Sequence, residues 1–135
     1  METVPDYKVV LIVDDEVFAR LFAVQIFLDL GYTVLEAEDA EQAMHVLDRN
    51  DDVGLLFTDI SMPGEMDGLG LIAQVRQERP QIRCIAASGR VNLEPAMLAE
   101  GMKFLPKPYT AFSLTEAINR QAGSRRGFHD QQNAA

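Results

Sequence analysis

The chain has 135 residues, of which 47% are hydrophobic, so its length and composition suit one globular domain with a single core. The net charge of −9 and the pI near 4.6 argue against nucleic acid or anionic lipid as a direct partner, because both bind basic surfaces. The longest apolar runs are far shorter than the ~20 residues that span a bilayer, so no membrane segment is expected.

The first predicted elements are a strand and a helix. The run Lys8–Val13 is continuous and rich in β-branched residues, which is typical of a strand covered on both faces, and two aspartates, Asp14 and Asp15, follow it. The segment Glu16–Leu30 contains no helix breaker, and Gly31 supplies a C-terminal stop. The sequence therefore predicts a first helix over this segment.

The first helix has more apolar residues than one buried face requires. One row, four residues long, is predicted to face the core. A second row beside it is either the edge of a wider core face or an exposed patch that a partner covers, and the sequence leaves both readings open. The first row is Val17, Leu21, Val24 and Leu28, and the second is Phe18, Phe22 and Ile26.

The middle of the chain alternates strands and helices. Thr33–Ala37 is the second predicted strand, and the spacing of Asp39–Gln42 is that of a capping box at the start of a second helix. The apolar run Val53–Phe57 is too short for a helix, and a proline-containing loop soon follows it. It is therefore the third predicted strand, which delivers Asp59 to the edge of the sheet, and Asp67 begins a third helix.

The remaining elements complete an α/β pattern. Ile82–Ala87 is the fourth predicted strand and ends at Ser88, and a short fourth helix is predicted around Pro95–Glu100. Lys103–Leu105 is the fifth strand, and Thr110 caps a fifth helix. Five strands that alternate with five helices indicate a parallel sheet with right-handed crossovers.

Cysteine usage and the N-terminal residues bear on location. Cys84 is the only cysteine, so no internal disulfide can form, and it lies in an apolar run where a buried, inert thiol is expected. The first residues lack the charged and apolar pattern of a secretory signal. These features predict a reducing, cytoplasmic location.

Chemically active side chains follow four of the five predicted strands. Asp14 and Asp15 follow the first, Asp59 ends the third, Ser88 ends the fourth and Lys107 follows the fifth. Because ligands of open parallel sheets bind beyond the carboxyl ends of the strands, these groups are expected to converge. At ~5 Å and an effective dielectric of ~20, each pair of carboxylates would repel by roughly 3 kcal/mol, so something must offset the repulsion.

Oxygen ligands without histidine or thiolate indicate a hard cation, and a few carboxylates with room for water suit Mg²⁺ better than Ca²⁺. A hydroxyl and an ammonium opposite the acids suit a phosphoryl group held against the metal. Glycine-rich nucleotide motifs are absent, which disfavours a resident nucleotide. Each residue alone has a plainer reading: Asp14 or Asp15 could cap the first helix, Ser88 could belong to a turn, and Lys107 could be solvated.

The motifs together resemble the receiver domain of two-component response regulators. The resemblance covers residues 7–121 and implies a doubly wound, flavodoxin-like (βα)5 fold, a three-layer sandwich with a parallel five-stranded sheet in the order 2-1-3-4-5. Residues 1–6 are then an N-terminal extension, and residues 122–135 are a polar tail that is predicted to be disordered. The motifs are Val13-Asp14-Asp15-Glu16, Asp59-Ile60-Ser61-Met62-Pro63, Ser88-Gly89 and Lys107-Pro108.

The resemblance implies a role for each residue of the site. Asp59 is the phosphoacceptor, and Asp15, Asp59 and the backbone carbonyl of Ser61 ligate Mg²⁺, with Asp14 acting on the metal through water. Lys107 binds a phosphoryl oxygen, and its bond to the following proline is expected to be cis.

The resemblance also implies a conformational switch. The Ser88 hydroxyl moves toward the phosphoryl group, Phe104 turns inward, and the face formed by the fourth helix, fifth strand and fifth helix changes. Ser61 and Arg90 match positions that tune the dephosphorylation rate. The loop Met62–Gly68 departs from the family by being one residue longer, which affects partner contacts more than chemistry.

The resulting hypothesis is a single-domain receiver that is not an enzyme beyond its own phosphorylation and dephosphorylation. Its expected partners are a histidine kinase or histidine phosphotransfer protein, which docks on Phe18 and Phe22, and a downstream protein target, with no nucleic acid or membrane. One alternative is a constitutive interaction module, whose mark would be a lost acid, serine or lysine. Another is a Mg²⁺-dependent phosphohydrolase, which usually needs an acid where Ser61 stands and a substrate-covering cap.

Overall fold

The five strands form one parallel sheet in the order β2-β1-β3-β4-β5, which confirms the predicted topology. The structure is a computed structural model that describes residues 8–89 and 102–120. The strands are β1 (Val9–Val13), β2 (Thr33–Ala37), β3 (Leu55–Asp59), β4 (Arg83–Ser88) and β5 (Met102–Pro106).

Helices connect β1 to β2, β2 to β3 and β3 to β4. They are α1 (Val17–Asp29), α2 (Ala40–Arg49) and α3 (Gly68–Glu78), and a C-terminal helix over residues 111–120 follows β5. The predicted fourth helix, the position Arg90, the N-terminal extension and the polar tail lie outside the described residues. No described helix is long and apolar enough to cross a membrane.

Side chains of the central strands alternate between two cores, because successive residues of a strand point to opposite faces. Leu11 and Leu56 pack in the core beneath α2 and α3. Val10 and Phe57, their neighbours in sequence, pack in the core beneath α1 and the C-terminal helix. The sheet therefore lies between two helical layers, as a three-layer sandwich.

Three of the helix starts that the sequence predicted are fixed by side-chain caps. The carboxylates of Asp39 and Asp67 each accept a hydrogen bond from the backbone N–H three residues later, at 2.8 and 2.9 Å. The Thr110 hydroxyl accepts the equivalent bond at 3.0 Å. These bonds satisfy backbone donors that have no partner within the helix.

The buried face of α1 differs from the predicted one. Three residues of the row expected to face the core are half exposed, and the second row divides, with Phe18 and Phe22 81% and 47% exposed. The prediction was wrong because α1 carries apolar residues on all of its sides, so its sequence does not indicate which side is buried. The buried residues are Ala23, Ile26 and Phe27, and the half-exposed ones are Val17, Leu21 and Leu28.

Cys84 is buried in β4, as predicted. Burial raises the pKa of its thiol to about 12, although Arg76 and Arg83 act in the opposite direction. The thiol therefore stays protonated and unreactive at neutral pH.

Two phenylalanines of α1 test this assignment of its faces. Phe27→Ala removes a fully buried ring and should lower the free energy of unfolding by about 3–5 kcal/mol. Phe18→Ala removes an exposed ring and should change it by less than about 0.5 kcal/mol. Urea unfolding followed by circular dichroism measures both values, and equal losses would contradict the assignment.

Candidate functional site

Three carboxylates converge beyond the carboxyl ends of β1 and β3. These strands are neighbours, with Val13 opposite Thr58, so the next residue of each, Asp14 and Asp59, lies at the same edge of the sheet. One carboxylate oxygen from each of Asp14, Asp15 and Asp59 lies within 4.8 Å of the others. This acidic cluster, the three aspartates, combines a buried Asp14 with an exposed Asp15.

Lys107 places its ammonium between two of these carboxylates. Its Nζ lies 3.3 Å from Asp14 Oδ2 and 3.4 Å from Asp59 Oδ1. The backbone N–H of Lys107 donates a 3.0 Å hydrogen bond to the Ser88 carbonyl, which extends the pairing of β4 with β5. The peptide bond between Lys107 and Pro108 is cis, as the resemblance implies.

Asp14 is fixed by bonds to its side chain and its backbone. The Glu16 N–H donates to Asp14 Oδ1 at 3.0 Å, and Arg20 Nη1 donates to the Asp14 carbonyl at 2.7 Å. Arg20 is itself oriented by an ion pair with Glu36 at 2.9 Å. In the described part of the chain Glu16 is the N-cap of α1 and makes no side-chain cap bond, so neither Asp14 nor Asp15 is the cap residue.

The electrostatic balance disfavours the ionised form of Asp59. Burial raises the pKa of this carboxyl, and the neighbouring charge of Asp14 raises it further. The charge and hydrogen bond of Lys107 and the hydrogen bond from the Ser61 backbone lower the pKa but do not cancel the rise. A cation near Asp59 would therefore stabilise its ionised carboxylate.

The remaining predicted site residues lie on neighbouring elements. Ser88 is buried at the end of β4 and lines the same cleft as Ser61, Asp59 and Lys107. Phe104 lies on β5 opposite Ala86 and is partly buried against the core beneath α2 and α3.

The loop Met62–Gly68 returns to the end of β3 at Gly68. The Gly68 N–H donates to the Ile60 carbonyl at 2.9 Å, and a Cβ on Gly68 would overlap the Asp59 carbonyl oxygen and the Ile60 Cα. Within the loop, Gly64 has a φ of +108°, which favours glycine. The extra residue is thus accommodated in the loop, and the acidic cluster remains assembled.

Sequence reasoning missed Tyr109, Gly68 and Arg20. Burial raises the pKa of the Tyr109 phenol, and the charges of Asp14 and Asp59 raise it further, so the phenol is neutral at physiological pH. The sequence does place Tyr109 directly after the Lys107-Pro108 motif, but its contacts are between distant segments.

The donor set of the acidic cluster fits a hard cation. Its ligand atoms are carboxylate oxygens, and one carboxylate is exposed, so water can complete the coordination shell. The cluster can therefore hold a metal ion.

Comparisons with known proteins agree with this geometry. Residues 10–119 match the sequence profile of the family described as "Response regulator receiver domain". The chain is 34% identical over 123 residues to the "Chemotaxis protein CheY homolog" of Campylobacter jejuni, which covers 87% of this chain and 94% of the relative. It is 35% identical over 115 residues to "Chemotaxis protein CheY" of Bacillus subtilis, and the match covers 82% of this chain and 94% of the relative. The structure of a response regulator receiver domain protein from Clostridium thermocellum superposes with a TM-score of 0.77 at 26% identity. The superposition covers 89% of this chain and 98% of that protein.

The raised pKa of Asp59 predicts a pH-dependent stability. In the unfolded chain the aspartate has its ordinary pKa of 3.8, whereas the folded state keeps the Asp59 proton to a higher pH. The contribution of Asp59 to the free energy of unfolding therefore falls as pH rises from 3.8 through the raised pKa of the folded state. With a metal chelator in the buffer, Asp59→Asn should therefore raise the free energy of unfolding at neutral pH. Lys107 is not left unpaired in this variant, because Asp14 remains its partner. Urea unfolding at several pH values should show the gain shrinking toward pH 3.8. A mutant less stable at neutral pH would contradict this.

A second prediction concerns the close approach of Gly68. Gly68→Ala should lower the free energy of unfolding by about 1–3 kcal/mol, because the new methyl group overlaps the backbone that carries Asp59. Gly70→Ala is the matched control on the same helix, since the atoms nearest to its Cβ belong to the Met66 and Asp67 side chains and not to backbone, and alanine favours the helix. Urea unfolding compares the two, and equal effects would rule out the backbone clash.

Proposed function

The chain belongs to the response regulator receiver domain family of two-component signalling, and we propose that Asp59 accepts a phosphoryl group from a phosphohistidine donor. Proteins of this family are phosphoacceptors that work with histidine kinases and downstream targets. The observation that carries the proposal is the position of Lys107, whose Nζ bridges Asp14 and the candidate acceptor Asp59 at 3.3 and 3.4 Å.

The reaction transfers the phosphoryl group between two side chains. A carboxylate oxygen of Asp59 attacks phosphorus while the bond from phosphorus to the donor imidazole breaks, and the imidazole nitrogen keeps the electron pair and takes a proton from solvent. Lys107 binds a phosphoryl oxygen and offsets its charge. Because such transfer needs little covalent assistance, positioning and electrostatic stabilisation supply most of the catalysis.

The acidic cluster supplies the ligands for Mg²⁺ in this proposal. Asp15, Asp59 and the backbone carbonyl of Ser61 would hold the cation, and Asp14 would act on it through water. When bound, the cation neutralises negative charge on the transferring phosphoryl oxygens. The all-oxygen donor set and the mutual repulsion of the three carboxylates support this choice.

Phosphorylation is proposed to change the conformation of the face that includes β5 and the C-terminal helix. A phosphoryl group adds negative charge and acceptor oxygens, to which the Ser88 hydroxyl moves from the neighbouring strand end. Phe104 on β5 turns inward as this state is populated. Ser61 and Arg90 tune how fast water removes the phosphoryl group.

The surface beside the acidic cluster is the proposed docking site for the donor. The imidazole must reach Asp59, so the donor has to contact the elements that border the cluster. Phe18 and Phe22 lie one turn apart near the start of α1, which directly follows Asp14 and Asp15, and both rings are exposed. Burial of these rings would stabilise the complex.

The proposed domain bounds, location and class of partner are those that family membership implies. The receiver domain spans residues 7–121 and acts in the cytoplasm on protein partners, not on nucleic acid or membranes. Its own chemistry is limited to phosphorylation and dephosphorylation of Asp59.

Intact-mass measurement after incubation with acetyl phosphate and Mg²⁺ tests the acceptor. The wild-type chain should gain one phosphoryl group, and the chain with Asp59→Asn should gain none. Omission of Mg²⁺ should suppress the adduct. An unmodified wild type, or an adduct of equal size in the mutant, would overturn the proposal.

A separate prediction concerns docking. Phe18→Ala should slow phosphoryl transfer from a cognate phosphohistidine donor while sparing labelling by acetyl phosphate, because the ring contacts the donor and not the acceptor site. Phe22 is left unchanged in this test because its ring also packs on Tyr109.

The matched control is Leu28→Ala, which removes a half-exposed apolar side chain at the far end of α1. It should leave both rates unchanged. Equal slowing with both phosphodonors in Phe18→Ala would exclude the docking role.

A further inference from the structure

Three aromatic rings connect the exposed side of α1 with the segments that carry Lys107 and Asp59. The ring centroids of Phe22 and Tyr109 are 5.6 Å apart. Those of Tyr109 and Phe57 are 5.7 Å apart, in an edge-to-face arrangement. We call Phe22, Tyr109 and Phe57 the aromatic triad. Tyr109 follows Lys107 by two residues, and Phe57 precedes Asp59 by two residues.

Lys107 needs a fixed backbone because its ammonium is on a flexible four-carbon chain. Before the lysine, the backbone is held by β5 and by the bond from the Lys107 N–H to the Ser88 carbonyl, at 3.0 Å. After it, Pro108 is exposed, and Tyr109 is the first side chain that packs into the core. The Tyr109 ring therefore anchors the chain on the other side of Lys107.

We propose that Tyr109 is a positioning residue, whose ring between Phe57 and Phe22 holds Lys107 Nζ against Asp14 and Asp59. The proposal rests on the phosphoacceptor function of Asp59. Tyr109 acts through Lys107 and takes no part in bond making. Edge-to-face and tilted aromatic contacts fix the orientation of a ring as well as its position in the core. An aliphatic side chain at the same place lacks this restraint on orientation.

The first test compares ring and aliphatic replacements by their rate of labelling with acetyl phosphate and Mg²⁺. Tyr109→Phe keeps the ring and should stay close to the wild-type rate. Tyr109→Leu should slow labelling by about tenfold, because a displacement near 1 Å at a catalytic group has effects of this order or larger. A phenylalanine variant as slow as the leucine variant would overturn the proposal, because the hydroxyl and not the ring would then matter.

The second test reads the position of Lys107 without phosphorylation. The chain has three lysines, Lys8, Lys103 and Lys107, so peptide mapping after brief acylation with an N-hydroxysuccinimide ester reports each amine separately. In the wild type and in Tyr109→Phe, Lys107 should react slowly because it is paired with Asp14 and Asp59. In Tyr109→Leu its reactivity relative to Lys8 should rise several-fold.

A destabilised control separates positioning from a general loss of stability. Phe27→Leu also alters a buried ring that packs on Phe57, with the ring centroids 5.8 Å apart. Phe57 lies between Phe27 and Tyr109 in this series of ring contacts. It should lower the free energy of unfolding without changing the labelling rate or the Lys107 reactivity. Unchanged Lys107 reactivity in Tyr109→Leu, or the same increase in Phe27→Leu, would overturn the role of Tyr109. Failure of the wild type to be labelled would instead refute the phosphoacceptor function, and the acylation result would still decide whether Tyr109 positions Lys107.

Discussion

The repulsion among Asp14, Asp15 and Asp59 is the interaction on which the site depends. At ~5 Å and an effective dielectric of ~20, each pair of charges costs roughly 3 kcal/mol, and the three acids lie within 4.8 Å of one another. Lys107 offsets part of this cost, since it approaches two of the three. The pKa of Asp59 is raised chiefly by burial of its carboxyl, and the charge of Asp14 adds to the rise while Lys107 opposes it. A bound cation would offset this repulsion, and it would also offset the negative charge that a phosphoryl group on Asp59 would add.

The fold supplies this arrangement through strand order and close packing. Because β1 and β3 are adjacent and parallel, Asp14, which follows β1, lies beside Asp59 at the end of β3. The adjacency of β4 and β5 brings Ser88 and Lys107 to the same edge. Gly68 then allows the start of α3 to lie directly on the backbone of Asp59 and Ile60. The acidic cluster, Ser88 and Lys107 therefore all lie at the same edge of the sheet, at or just beyond the ends of its strands.

The sequence predicted those features that follow from local patterns. Strand positions and the caps at Asp39, Asp67 and Thr110 depend on residues close in the chain, and the strand order came from resemblance to the family. The buried face of α1 could not be predicted, because apolar residues lie all around it and the choice depends on the sheet beneath. The contacts of Gly68 and Tyr109 join segments far apart in the sequence, so no local pattern indicates them.

Calorimetric titration of Mg²⁺ into the unphosphorylated protein tests most directly whether the acidic cluster is a cation site. We expect saturable binding by the wild type, strongly weakened binding by Asp15→Asn, and wild-type binding by Asp51→Asn, which removes an exposed acid between α2 and β3. The Asp15 substitution removes a carboxylate oxygen of the cluster, whereas the Asp51 substitution changes only the net charge. Equal weakening by both substitutions, or no binding by the wild type, would contradict a cation site at the carboxyl ends of β1 and β3.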